Sequence, residues 1–211
     1  MASFRSFALP GGDRAAREPW RIALALAWET GRHLDGIGDR RETDLLRHAW
    51  ERGLNCPRTS SVGRLFDAAA ALTGLVSHAT FEAQAPMALE AACRGDAPPV
   101  PLPLARNDGL WISDWEPLLD RLADRGASVA ARASMFHATL AAALIEQARA
   151  VRAEHGVTRI GLTGGVFQNR LLCEHVARLA QREGFELLVA ERIPCNDAGL
   201  SFGQLVEAGA T

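Results

Sequence analysis

Gly161-Leu162-Thr163-Gly164-Gly165-Val166-Phe167-Gln168-Asn169 is the stretch on which the reading of this chain turns. Just ahead of it, Arg159-Ile160-Gly161-Leu162 reads as a short strand. Just behind it Leu172, Val176 and Leu179 recur at helical spacing, with Glu174, Arg178 and Arg182 on the other face. A Gly-Gly pair between strand and helix lets the backbone turn tightly. It also leaves no side chain between the main-chain N–H groups and a bound anion. Asn169, near the start of the helix, can cap it or reach a ligand hydroxyl. The same arrangement also serves as a plain connection, so the turn by itself assigns no ligand.

The residues beyond the turn add weight. Glu186-Leu187-Leu188-Val189 reads as a second strand, reached after a helix that ends at Gly184, which completes a right-handed βαβ unit. Pro194-Cys195-Asn196-Asp197-Ala198-Gly199 then forms a loop running into a final helix, with Asp197 at the helix start. Capping alone would account for that carboxylate. In an open α/β sheet, however, both loops lie at the carboxyl ends of adjacent strands, where ligands bind. Two ligand-competent loops on one edge favour a nucleotide site.

Composition excludes several classes. The chain has 211 residues, enough for one large domain or two small ones, and its 48% hydrophobic and 23% charged residues are those of an ordinary globular protein. A formal charge of -2, carried with no Lys at all, gives no electrostatic reason to expect nucleic acid. Cys56, Cys93, Cys173 and Cys195 form no C-x-x-C pair, which argues against a zinc knuckle and a disulfide framework. There is no membrane-length apolar run and no signal-peptide pattern, so a cytoplasmic location is the default.

Along the chain, Phe4 to Leu9 alternates like an edge strand and ends at Pro10-Gly11-Gly12. Asp13 is placed to cap a helix carrying Ile22, Leu24, Leu26 and Trp28, which stops at Gly31. Asp35 to Arg41 reads as a polar loop, with Thr43 as the cap of a short helix that carries Leu45, Leu46 and Trp50. Trp20, Trp28 and Trp50 read as packing residues. Thr59-Ser60-Ser61 opens a helix with Val62, Leu65, Phe66, Ala69 and Leu72 on one face, closed by Gly74. Asp67 on that helix reads as an exposed carboxylate, and Arg64 as a surface or ion-pairing residue with phosphate contact as the alternative. Phe81 to Ala92 is a further helix, with Glu82 complementing the dipole of its first turn. Ala97 to Pro103 is an extended linker, and Glu116 to Arg125 a short helix. Between Gly31 and Gly126 the pattern is helix after helix, a helical insertion or lid rather than sheet. Ser134 to His155 is the longest helix, stopped by Gly156, with His137 as a packing residue of its first turn. No two of the other histidines have i, i+3 or i, i+4 ligand spacing.

Several stretches together carry a family resemblance. Gly161 to Leu172 and Arg192 to Gln204 resemble the C-terminal end of the HypF-type carbamoyltransferases of nickel–iron hydrogenase maturation. Leu9-Pro10-Gly11-Gly12-Asp13 with Glu18-Pro19-Trp20-Arg21 is similar to the same family, as are Thr59 to Ala68, Phe81 to Ala85 and Phe136 to Ala141. The wider group includes O-carbamoyltransferases and threonylcarbamoyladenosine synthases. The resemblance implies an α/β fold, half of the duplicated architecture of actin, sugar kinases and heat-shock ATPases, with a largely helical insertion. Residues 1–211 would be the C-terminal portion of the carbamoyltransferase domain, with 13–126 mostly helical and 134–211 a nucleotide-binding α/β subdomain. The family's acylphosphatase domain, zinc-finger segment, adenylate-forming domain and metal-binding His pair would all lie upstream.

The resemblance also implies the chemistry. Carbamoyl phosphate and ATP give carbamoyl-adenylate, and the fold passes the carbamoyl group to the C-terminal cysteine of a HypE-type partner, on the way to the cyanide ligands of the hydrogenase iron. Gly164, Gly165 and Asn169 match the phosphate and nucleotide loop. Asp67 matches the ribose contact, and Glu82 borders the adenosine pocket. Asp197 matches the catalytic and metal-binding Asp, one of three ligands to a divalent metal, iron or zinc. His137 has only a supporting role. A single Asp does not hold a metal, so the chain is expected to act with a separate N-terminal polypeptide. The alternative is a non-catalytic nucleotide-binding remnant or scaffold subunit. Neither nucleic acid nor membrane is expected as a partner; a tRNA-directed relative is disfavoured by the absence of a basic surface.

Overall fold

The computed structural model describes residues 1–34 and 36–209. Asp35, at the head of the expected polar loop, lies outside the described residues, as do Ala210 and Thr211.

The N-terminal alternation yields two short strands, not one. β1 (Ala2–Phe4) and β2 (Phe7–Ala8) are separated by Arg5 and Ser6, and they join different sheets. Next come α1 (Arg14–Arg17) and α2 (Pro19–Glu29). Asp13 precedes α1 without a side-chain cap bond, so the expected helix is divided by Glu18-Pro19. Proline suits the first position of α2, where its missing N–H is no loss. α3 (Arg40–Glu51) is capped by Asp39, whose side chain accepts from the N–H of Arg41 at 2.9 Å; Thr43 lies inside the helix. Asp39 outcompetes Thr43 because its carboxylate reaches the free first-turn N–H groups.

β3 (Arg58–Thr59) pairs antiparallel with β2, and α4 (Val62–Leu72) comes next. α5 (Gln84–Ala92) starts later than the periodicity implies, because Ala83 takes a left-handed φ of 61° and Phe81 stays exposed. β4 (Leu104–Asn107) and β5 (Leu110–Ser113) form an antiparallel hairpin around Asp108-Gly109, with φ of 48° and 80°. Positive φ at both central residues is the hairpin turn whose twist matches the strands, and Asp-Gly is its preferred pair. The span expected to be helix after helix therefore holds three strands among its described residues, and β5 is the central strand of the sheet β1-β5-β4. β1 runs parallel to it, with Ser3 opposite Ile112.

α6 (Pro117–Ala123) leads to α7 (Val129–His155), the longest helix, capped by the Ser128 side chain and ended by Gly156 at a left-handed φ of 68°. β6 (Arg159–Leu162), α8 (Arg170–Arg182) and β7 (Glu186–Val189) then form the expected βαβ unit, with β6 parallel to β7 and Ile160 opposite Leu187. α9 (Leu200–Gly209) closes the described chain.

The core lies where α2, α4 and α7 meet, with Ile22, Leu65, Phe66, Leu119, Phe136 and Leu140 in one buried cluster. Alanines on the inner faces of α2 and α4 let the two backbones approach closely, and Phe66 packs edge-on to Phe136 with centroids 5.0 Å apart. Trp20 is fully buried, whereas Trp28 and Trp50 pack on each other at 5.5 Å. Arg132 of α7 donates to the carbonyls of Leu72 and Leu122 at 3.3 and 2.7 Å, binding the C-terminal ends of α4 and α6 to the long helix. Among the described residues no helix is long and apolar enough to cross a membrane.

Candidate nucleotide loop

The loop after β6 is held from three sides. Gly164 takes φ of 103° and ψ of 153°, a conformation that only glycine enters at low cost. Its N–H donates to the Cys195 carbonyl, which ties the loop after β6 to the loop after β7. A 3₁₀ turn over Gly165–Gln168 comes next, closed by Phe167 N–H on Gly164 O at 3.0 Å and Asn169 N–H on Val166 O at 3.2 Å. The Cys173 thiol donates to the Phe167 carbonyl at 3.1 Å. Within this turn the N–H groups of Gly165 and Val166 make no hydrogen bond among the described residues, leaving two donors for an anion.

Asn169 is a cap. Its Oδ1 accepts from Leu172 N–H at 2.8 Å, and its amide nitrogen lies 2.9 Å from His137 Nε2. The side chain is buried and both of its polar ends serve the fold. His137, fully buried on α7, has Nδ1 2.9 Å from the Ala133 carbonyl and 3.3 Å from Cys93 Sγ. Because Nε2 accepts from an amide, the network assigns the ring hydrogen to Nδ1. Burial lowers the His137 pKa, which keeps the ring neutral.

Glu90 is a member of the site that sequence reasoning missed. From α5 it reaches the N-terminus of α8, where Oε1 accepts from Leu171 N–H at 3.0 Å. With Leu172 N–H taken by Asn169, an internal carboxylate sits where a phosphate would meet the helix dipole. The anion-competent donors are therefore in the turn and not at the helix end. No local pattern marks Glu90, since its partner lies 81 residues away.

Asp67 is buried, not exposed as its helix position implies, with only 3% of its surface accessible. It stands on α4, which packs against the glycine turn and sets Phe66 edge-on to His137 at 5.2 Å. Arg64 Nη1 lies 2.7 Å from Asp67 Oδ2, close enough to pair ionically, yet the two groups do not align as a hydrogen bond. Burial pushes the Asp67 carboxyl up to about 7, against the downward pull of Arg64.

Glu82 is exposed in the turn before α5, ahead of the helix in whose first turn its sequence position places it. Asp197 opens a 3₁₀ turn over Asp197–Gly199, but the cap there is Asn196, which accepts from Ala198 N–H at 3.1 Å. Asp197 itself is exposed. Among the described residues no three His, Cys, Asp or Glu side chains come together in a set able to hold a metal. A lone exposed carboxylate does not fit a catalytic metal site, which needs about three protein ligands. A separate apolar cleft of about 760 Å³ lies between the ends of β6 and β7 and helix α9, lined by Leu162, Ile193, Pro194, Cys195 and Leu200. It includes neither Gly165, Asn169 nor Asp67, and its apolar wall does not suit phosphate, so the amide-lined turn is the better anion site.

An α/β lobe with a glycine turn at the carboxyl end of a parallel strand is the class that fold and site define. Residues 1–204 match the family described as carbamoyltransferase, Kae1-like domain, second subdomain, and the chain belongs to that family. It is similar to the carbamoyltransferase HypF homolog of Cupriavidus necator, 37% identical over 221 residues that cover 97% of this chain and 56% of the relative. It also resembles the carbamoyltransferase HypF of Rhizobium leguminosarum bv. viciae, at 36% identity over 93% of this chain and 26% of the relative. The chain thus spans about half the length of the first and about a quarter of the second. A crystal structure of full-length HypF in the phosphate- and nucleotide-bound form matches 99% of this chain and 34% of its own, with TM-score 0.88 and 29% identity. The HypF of T. kodakarensis shares the fold, with TM-score 0.84 at 24% identity over 99% of this chain and 29% of its own.

Proposed function

We propose that this chain is the nucleotide-holding lobe of a cytoplasmic carbamoyltransferase that completes its active site with an N-terminal polypeptide. The observation that carries the reading is the glycine turn: two N–H groups, unbonded among the described residues, at the carboxyl end of β6, in a turn fixed by Asn169 and by the Cys195 carbonyl. The N–H groups of Gly165 and Val166 would receive the phosphates of ATP or carbamoyl-adenylate. Gly164, whose own N–H is spent on the Cys195 carbonyl, would only keep the turn clear of a side chain. Asp67 would accept the ribose hydroxyls once Arg64 swings aside. Transfer then joins the carbamoyl carbon to the thiolate of the C-terminal cysteine of a HypE-type partner. The carbon–oxygen bond to the adenylate breaks, and AMP leaves with the electron pair. Asp197 has no companion ligands among the described residues, so any metal at this carboxylate would need ligands from the N-terminal polypeptide.

That solitary Asp197, together with the burial of Asp67, favours a second reading, a nucleotide-binding scaffold without chemistry of its own. Calorimetry of ATP and ADP on the chain, with Asp67→Ala beside it, tests the shared premise. Saturable binding weakened by the substitution supports a working nucleotide lobe; no binding to the unaltered chain removes both readings. Addition of the N-terminal part of a longer relative, with carbamoyl phosphate and the acceptor, separates them. Transfer of carbamoyl to the cysteine marks the enzyme, and its failure leaves the scaffold.

A further inference from the structure

We infer that His137 is a positioning residue for the glycine turn: as a neutral acceptor at Nε2 it fixes the Asn169 side chain, and through it the start of α8 and the turn before it. Three elements converge on this ring. α4 supplies Phe66, packed edge-on at 5.2 Å. α5 supplies Glu90, which holds the neighbouring Leu171 amide of α8, and just past its end Cys93 has Sγ 3.3 Å from Nδ1. α8 supplies Asn169 at its cap and His175 further along. On its own helix the ring meets Phe136 and donates from Nδ1 to Ala133 O at 2.9 Å. The titratable groups facing it are therefore Cys93, Glu90 and His175.

The geometry leaves the ring one workable state. The Asn169 Oδ1 is committed to Leu172 N–H, so its other end is the NH2 group, a donor only. That donor needs a bare Nε2, and the Ala133 carbonyl needs a hydrogen on Nδ1. A protonated ring would point N–H at N–H inside a buried site and break the link. Asn169 would then be free to turn, and Leu172 N–H at the start of α8 would lose its cap. The residue acts through Asn169 and need touch no ligand.

The test uses the whole chain with 15N-labelled histidine, together with His137→Gln and His137→Leu. Gln carries an oxygen that can accept from Asn169, whereas Leu fills space and accepts nothing. In the unaltered chain the expected NMR signature is a protonated Nδ1 and a bare Nε2 for His137, held down to mildly acidic pH. In the Leu variant hydrogen exchange of the Leu172 amide and of the turn should rise about tenfold, the factor set by one lost buried hydrogen bond. The β1–β5 amides should not change, and Gln should restore most of the protection. A hydrogen on Nε2 in the unaltered chain overturns the inference, and this arm decides even if neither variant folds. Unchanged turn exchange in the Leu variant, or equal loss in Gln and Leu, overturns it as well. The nucleotide reading is used only in a last arm, in which ADP affinity falls with Leu and recovers with Gln. If the unaltered chain binds no ADP, that reading fails while the tautomer and exchange arms still judge His137.

Discussion

Glu90 Oε1 accepts the backbone N–H of Leu171 at 3.0 Å, so a carboxylate from α5 caps the very helix whose preceding turn offers donors to an anion. The contact stabilises α8 and at the same time places negative charge beside any phosphate on the turn. Glu90→Ala should therefore lower stability by about 1 kcal/mol, the usual worth of a lost helix cap. Glu90→Gln keeps an acceptor and should lose less than half of that. The same Gln variant should bind ATP about threefold more tightly, because one nearby like charge is removed. Thermal melts with calorimetry check both signs. An ATP affinity unchanged in Glu90→Gln would show that a phosphate on the turn does not feel this carboxylate.

The Asp67 carboxyl, held near 7 by burial against an ordinary value of 3.8, sets a second prediction. The folded state binds more protons than the unfolded one between these limits, so this group's contribution to stability falls as pH rises through that window. Asp67→Asn cannot titrate, and the variant should lose the slope. The difference between the two proteins should reach a few kcal/mol at most, since Arg64 and relaxation offset part of the burial. Urea midpoints at several pH values measure it. A ribose contact by the ionised carboxylate predicts the opposite trend for binding, with affinity rising as the pH passes 7.

These two residues show what is legible in the sequence and what is not. The βαβ unit and the glycine turn are readable because they are local: strand, Gly-Gly and helix lie within a few residues of one another, and Asn169 caps the helix as its type and place suggest. The α/β class is readable for the same reason. The hairpin of β4 and β5 has a local signal, Asp108-Gly109 between two short extended runs, that the surrounding helical periodicity masks. Glu90, the burial of Asp67 and the His137–Asn169 bond have no local signal at all. Each depends on helices distant in sequence being brought together by the core.

Helix α9 yields a third prediction. It buries none of its residues, and Leu200, Phe202, Leu205 and Val206 are all at least half exposed. Residues that touch little contribute little, so Phe202→Ser with Leu205→Ser should shift stability by no more than about 0.5 kcal/mol. Exposed apolar clusters promote association, so the same double change should raise the concentration at which the chain stays monomeric. Light scattering alongside denaturant melts reads the two effects. A loss of several kcal/mol would show that α9 packs against the lobe.

Arg132 supports the most demanding prediction. Its guanidinium is buried and donates to Leu72 O at 3.3 Å and Leu122 O at 2.7 Å, serving the free carbonyl ends of α4 and α6 at once. Burial lowers its pKa, but an arginine keeps its charge, so the cation is held by helix-end carbonyls instead of a hydrogen-bonded carboxylate. Arg132→Met keeps much of the volume and removes every donor. It should cost about 2–3 kcal/mol, because buried carbonyls lose charge-assisted partners. Arg132→Lys should recover only part: an ammonium can stand in for Nη1 at the Leu72 and Leu122 carbonyls, but not for Nη2 at the Thr73 carbonyl, 3.5 Å away. The loss should also be local: α4 carries Asp67, so nucleotide affinity should weaken with the Met variant even under conditions where it remains fully folded. A Met variant as stable as the parent would mean that α4 and α6 are held to α7 by apolar packing alone.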